Sequence, residues 1–159
     1  MLERLRTIAD YQFGRGAGAA LFPDDVKFIL SRTGRVRQIV SGGKRIATVR
    51  ANDGFLILSA YGGERLKPVL PFPHKRVVMN DDAAPFVAKG KTAFCKFVLT
   101  CDPEIRAMEE ILLVDKDDNF LATGQALLAA PEIMAFKRGT AVHVRYAVKG
   151  KDMDGACPD

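Results

Sequence analysis

Residues 27–61, KFILSRTGRVRQIVSGGKRIATVRANDGFLILSAY, decide how the first half of this chain folds. Four short apolar runs, KFILS, RVRQIV, RIATVR and FLILSAY, are cut apart by Arg32-Thr33-Gly34, Gly42-Gly43 and Asn52-Asp53-Gly54. Gly-Gly and Asp-Gly tolerate the positive φ that tight hairpins need, so the pattern predicts an antiparallel meander. The stretch is also chemically lopsided. Between Asp25 and Asp53 there is no acid, yet Lys27, Arg32, Arg35, Arg37, Lys44, Arg45 and Arg50 all lie there.

Upstream, Leu2, Leu5, Ile8, Ala9 and Phe13 recur at helical spacing and predict an amphipathic helix over residues 2–12. FGRGAGAALF then reads as a glycine-broken turn with one further helical turn ending at Pro23. Gly14-Arg15-Gly16-Ala17-Gly18-Ala19 matches the glycine pattern of dinucleotide sites, but that fingerprint follows a strand inside a βαβ unit. Here a helix precedes and a meander follows, so the expectation is a flexible turn that brings backbone close to a partner.

Downstream, LKPVLPFP (residues 66–73) carries three prolines in eight residues. Proline has no N–H and clashes in helix interiors, so this joint marks the domain boundary. The second half opens with a strand, HKRVVM, and a short helix, DAAPFVAKG, capped by Asp81 or Asp82 and stopped at Gly90. Strands TAFCKFVL, EILLVD and FLATGQALL follow, the last two joined by the DKDDN turn. A second short helix, PEIMAFKRG, and a closing strand, TAVHVRY, complete it. Connections are too short for the crossovers of a doubly wound parallel sheet. The expected fold class is α+β: an N-terminal helix with an antiparallel meander over residues 1–73, then a partly closed barrel over 74–148. Residues 149–159 lack apolar periodicity and read as a flexible tail.

The 159 residues suffice for one ordinary domain or two small ones, and 48% hydrophobic with 27% charged residues is globular composition. No apolar run approaches the roughly 20 residues that span a bilayer, and the N-terminus lacks a signal-peptide core. Cys95, Cys101 and Cys157 are odd in number and form no CxxC, which argues against a disulfide framework. A soluble, cytoplasmic protein is expected. Its net charge of +5 is unevenly spread: residues 1–74 hold 12 bases against 6 acids, residues 75–159 hold 12 against 13. Such asymmetry points to a polyanionic partner, nucleic acid first.

Signals for chemistry are weak. DKDDN begins like a calcium loop, but its sixth position is Phe120 and its twelfth Ala126 where glycine and a bidentate acid are required. His74 and His143 are the only histidines, and no Cys/His cluster has metal-ligand spacing, so neither metal nor cofactor is expected. Cys95 sits in an apolar strand run, where a small buried residue is the simpler reading. Glu109 and Glu110 lie at a loop–strand border with no matching partner. With ten Phe, three Tyr and no Trp, most Phe falling at core positions, a single-strand stacking platform is not the obvious mode. Recognition through backbone charge and shape suits the chain better.

Over residues 75–148 the order of pieces resembles the PUA domain, a small RNA-binding pseudobarrel. The matching stretches are RVVMNDDAAPFVAKGKTAFCKFV, PEIRAMEEILLVD and NFLATGQALLAAPEIMAFKRGTAVHVRY, with ATGQALL like the family's Gly-x-Ala motif and FKRGTAVHVR like its closing strand. Met108-Glu109 departs from the Gly-Asp usual before the middle strand. IADYQFGRGAGAALF, SRTGRVRQI and ATVRANDGFLILSAYGGERL, within residues 2–70, resemble the domain before PUA in archaeal tRNA-guanine (archaeosine) transglycosylases. The family's catalytic barrel has no room at this length.

The resemblance implies RNA binding, tRNA foremost, without catalysis by this chain. It suggests an accessory or detached subunit beside a separate catalytic chain. The family's RNA-binding face falls here on Phe86, Lys89, Gly90, Lys91, Thr92, Lys96, Lys137, Arg138, His143 and Arg145. Charge alone adds Arg32, Arg35 and Arg37. The alternative is a protein-interaction subunit that docks an acidic partner, with incidental RNA affinity.

Overall fold

The computed structural model describes residues 1–150 and consists of two sheets packed against each other. Helix α1 (Leu2–Phe13) buries Leu5, Ala9 and Phe13 as its periodicity requires, and α2 (Ala17–Leu21) follows after a two-glycine turn. Gly14 and Gly16 adopt positive φ, and a Cβ on Gly18 would collide with the Arg6 backbone. The close approach expected of this segment is therefore internal: it seats α2 on α1. Gly18 N–H also donates to Asp10 Oδ1 at 2.7 Å.

The meander forms as expected, with β1 (Lys27–Leu30), β2 (Val36–Ser41), β3 (Lys44–Val49) and β4 (Leu56–Leu58) antiparallel in chain order. FLILSAY is not all strand. Its second part starts helix α3 (Ala60–Leu66), where Ser59 Oγ accepts the Gly62 N–H at 3.0 Å as an N-cap. Helix propensity in AYGGERL is poor, but Gly63 lies where a Cβ would come within 2.6 Å of Phe120 and Thr123 in the second sheet. Packing selects that glycine. Within LKPVLPFP, Lys67–Val69 make one turn of 3-10 helix with proline in its first turn, where its missing N–H costs nothing.

The second sheet contains β5 (Arg76–Met79), β6 (Ala93–Phe94), β7 (Val98–Cys101), β8 (Glu110–Val114), β9 (Phe120–Ala126) and β10 (Thr140–Ala147), in the order β6-β10-β9-β8-β5-β7. Only β5 and β8 run parallel. The expected single strand TAFCKFVL is broken by a 3-10 turn, Cys95–Phe97, which links the two outermost strands and curls the sheet into a nearly closed pseudobarrel. Helices α4 (Ala84–Val87) and α5 (Ala130–Ala135) bury Ala84, Val87, Ala130 and Ile133 in its hydrophobic core. Neither Asp81 nor Asp82 caps the first of them: its N-cap is Ala83, whose N–H donates to Asn80 Oδ1 at 3.0 Å in the preceding turn. In the Gly-x-Ala motif, a Cβ on Gly124 would lie 2.6 Å from Val142 and 2.7 Å from the His143 carbonyl, so glycine lets β10 cross β9 closely.

The halves are joined by more than chain. Leu112 of β8 belongs to the hydrophobic core under the first sheet, and Thr123 Oγ1 donates to Leu58 O at 3.0 Å. Buried Arg76 gathers the joint, donating to Leu70 O, His74 O and Lys67 O while pairing with Asp118 at 2.9 Å. Just after β10, Lys149 N–H donates to Ala88 O at 2.8 Å. Of the expected tail, 149–159, residues 151–159 with Cys157 lie outside the described residues.

Candidate nucleic-acid interface

Most of the predicted second-half residues line a rim formed by α4, β6 and β10 in two groups at opposite ends of β10: Phe86, Lys89 and Lys91 beside its end at Ala147, and Lys96, Lys137 and Arg138 beside its start at Thr140. Helix α4 presents Phe86, 59% exposed, and stops at Gly90, whose φ of +96° turns the chain between exposed Lys89 and Lys91. The end of β10 closes beside this turn through the Lys149–Ala88 bond, and the start of β10 pairs Thr140 with Phe94 of β6. Cys95 N–H donates to Gly139 O at 3.0 Å, which sets Lys96 near the Lys137-Arg138-Gly139 turn. Thr92, Lys96, Lys137, Arg138 and His143 are all exposed. None of Lys89, Lys91, Lys96, Lys137 or Arg138 has an acid within ion-pair distance among the described residues.

Arg145 is different. A bulge between Val144 and Tyr146 turns it toward β8, where Nε donates to Glu110 Oε1 at 2.8 Å and Nη2 to Oε2 at 3.3 Å. Arg50, from the turn after β3, reaches the same carboxylate at 3.8 Å and is itself held by Asp53 at 2.9 Å. The acid that seemed partnerless thus ties two arginines from different halves. Burial pushes the Glu110 carboxyl above the ordinary range, against the pull of Arg145 and Arg50. Glu109 likewise pairs with Lys75 at 3.1 Å. Neither acid is placed as a general acid or base, since each is engaged in a structural ion pair.

Arg32, Arg35 and Arg37 stand on the β1–β2 hairpin, all exposed and without an acid partner among the described residues. Ser31 Oγ accepts the Arg35 N–H at 3.2 Å and stiffens the tip. Sequence reasoning missed two aromatic rings on the second-half rim: Phe94, 42% exposed, and Phe136, 48% exposed. Their position in the chain, two residues before Lys96 and directly before Lys137, was the available signal. Phenylalanine beside unpaired lysine can stack on a base while the lysine meets its phosphate.

No group of three or more His, Cys, Asp or Glu side chains is placed to hold a metal ion among the described residues. The Asp115 carboxylate is committed to its own turn: burial would raise it, but hydrogen bonds from Asn119 and Asp117 outweigh that and hold it below the usual range. Cys95 lies in the 3-10 turn rather than in a strand, and burial raises both its thiol and that of Cys101. No helix among the described residues is long and apolar enough to cross a membrane.

Residues 3–73 match the family described as the patch-forming domain C2 of tRNA-guanine transglycosylase, and residues 75–147 match the PUA domain. The chain is 50% identical over 145 residues to a tRNA-guanine(15) transglycosylase of Methanothermobacter thermautotrophicus, covering 91% of this chain and 22% of that protein. It is 48% identical over 147 residues to the Pyrococcus furiosus enzyme of the same name, covering 92% and 25%. The chain therefore spans about a quarter of these relatives' length. Among solved structures, a hypothetical protein of Pyrococcus horikoshii superposes with a TM-score of 0.75 at 17% identity, covering 98% of this chain and 95% of that one. A conserved PUA domain protein of Thermoplasma acidophilum does so with a TM-score of 0.63 at 21% identity, covering 91% and 86%. At such identities these two speak for the fold alone.

Proposed function

This chain belongs to the PUA-domain proteins and resembles the C-terminal region of the archaeal tRNA-guanine transglycosylases, and on that premise we propose that it is a noncatalytic RNA-binding protein. Its ligand is structured RNA, tRNA first, in connection with tRNA modification. It acts as an accessory or detached subunit beside a separate catalytic chain and needs no cofactor of its own.

One observation carries the reading. Lys75, Arg76, Lys116 and Arg145 are taken up by Glu109, Asp118, Asp81 and Glu110, while Lys89, Lys91, Lys96, Lys137 and Arg138 have no acid within ion-pair distance among the described residues and lie in segments that also carry exposed phenylalanines. Although that half is near neutral in total, these five unpaired cations make the segments around α4, β6 and the start of β10 locally cationic. Cations with no internal partner are available to phosphates, and displaced counterions make such binding steeply salt-dependent.

The test is titration of folded tRNA at two salt concentrations. The expected result is micromolar or tighter binding that weakens with salt, with a log–log slope near −0.9 per phosphate neutralised on a duplex-like surface. Binding that ignores salt, or its absence at micromolar protein, overturns the proposal.

A further inference from the structure

Three tyrosines occur in the chain, and two of them are covered by cations. Tyr61 has Lys44 and Arg65 at 5.2 and 5.6 Å from its ring, and Tyr146 has Arg45 at 4.4 Å. Tyr11, on α1, has none among the described residues and is 81% exposed. It stacks instead on Phe55, with ring centroids 6.2 Å apart and an interplanar angle of 26°. Arg50 lies 5.9 Å from the other ring of the pair.

A lone exposed tyrosine needs no explanation. What distinguishes this one is how rigidly its surroundings are built. Gln12, the next residue, clamps α1 to the edge of β4: Nε2 donates to Leu56 O at 2.9 Å and Oε1 accepts the Leu56 N–H at 2.8 Å. Phe55 is fixed by its own N–H to Asp53 Oδ1 at 2.9 Å, and the same oxygen takes the Arg50 Nε–H at 3.2 Å. The backbones that carry both rings are thus fixed before any ligand arrives, which lowers the entropy lost on binding.

The local charge suits a nucleotide. Arg4 sits two helical turns before Tyr11 on the same face of α1, and Arg15 stands in the glycine turn just beyond. Both are exposed, and neither has an acid within ion-pair distance among the described residues. Asp10, adjacent in sequence, is engaged by Gly18. A ring pair flanked by free guanidinium groups accepts a base on its face and that base's phosphates at its edge.

We propose that Tyr11 and Phe55 form a preorganised stacking site for an unpaired RNA base on the amino-terminal half, distinct from the rim of α4, β6 and β10. The site rests on the RNA-binding reading above and extends it from backbone charge to base contact.

The chain has no tryptophan, so Tyr11→Trp supplies a single fluorescent reporter at the site. Folded tRNA, labelled so that its own anisotropy reports binding, is titrated into this variant. A second titration uses a short single-stranded uridine oligomer. The expected result is quenching of the tryptophan that saturates along with the anisotropy. Tyr11→Ala should weaken tRNA binding at least about five-fold, the lower range for a lost base–aromatic stack, without changing the salt slope. Tyr11→Phe should bind within about two-fold of the parent, since stacking needs the ring and not the hydroxyl. Bound tRNA with unmoved Tyr11→Trp emission and an unaffected Tyr11→Ala overturns the stacking site alone, and marks these rings as belonging to another contact. Absence of tRNA binding overturns the RNA reading and this site with it.

Discussion

Arg145 is locked to Glu110 by two hydrogen bonds of 2.8 and 3.3 Å, so a residue that strand alternation offers as a surface cation is held inward by a buried acid. Its side chain retains 22% exposure, and Arg50 approaches the same carboxylate from the other half of the molecule. Replacing Arg145 with alanine should destabilise the fold by about 3 kcal/mol, because the buried carboxylate loses its main partner. Urea denaturation checks this. A loss under about 0.5 kcal/mol would mean that Arg50 alone suffices, or that the pair contributes little. Charge reversal at Arg145 would therefore report on folding as much as on RNA.

The same acid should make stability depend on pH in a defined direction. Burial raises the Glu110 carboxyl above its ordinary value of 4.5 despite the nearby arginines. A carboxyl with a raised folded-state pKa favours folding where it is protonated. Its contribution is fully present below the unfolded value and is lost as pH rises through the folded one. Glu110→Gln mimics the neutral form and removes that titration. The stability of the parent relative to Glu110→Gln should therefore fall as pH rises from about 4 toward neutrality. Thermal melts of both proteins across that window measure it, and a parent that gains on Glu110→Gln as pH rises would mean that the arginines outweigh burial at this carboxyl.

Gly63 is where α3 meets the pseudobarrel. A methyl group there would lie 2.6 Å from both Phe120 Cζ and Thr123 Cγ2. Alanine elsewhere in a helix gains about 1 kcal/mol over glycine. Here overpacking should outweigh that gain, and Gly63→Ala should be destabilising by about 1–3 kcal/mol. An equilibrium denaturation series settles the sign, and a stabilised variant would mean that the contact relaxes freely.

The two groups of unpaired cations can be separated by salt dependence. Lys89→Ala with Lys91→Ala, and Arg35→Ala with Arg37→Ala, should each lower the log–log salt slope of tRNA binding by about two if every side chain meets one phosphate. All four are exposed, so folding should be undisturbed. A pair whose removal leaves the slope unchanged lies outside the footprint.

Much of the fold was legible because its causes are local. The meander announced itself through glycines at hairpin positions, and the ends of α4 through Gly90, whose φ of +96° few other residues accept. Helix α3 was not legible. Ser59 reads equally well as a strand end or an N-cap, and the reason for glycine at position 63 is a ring that arrives from Phe120 in the other half. The break at Cys95–Phe97 was hidden for a similar reason: the apolar run TAFCKFVL fits a strand, and only closure of the barrel requires it to turn. At the candidate site, Lys89, Lys91 and His143 came through the family resemblance, whereas Phe94 and Phe136 were hidden among phenylalanines assigned to the core.

By itself, the chain's order of residues determined the hairpins, the two α+β halves and the excess of cations in the first of them. Backbone freedom, side-chain alternation and charge count are properties of neighbours. Tertiary structure alone decided which cations remain available to a ligand. Arg145 and Glu110 are 35 residues apart in sequence yet 2.8 Å apart in space, while Lys89 and Lys91 have no acid within reach among the described residues. An ion pair depends on distance through the folded molecule, and spacing along the chain does not encode that distance.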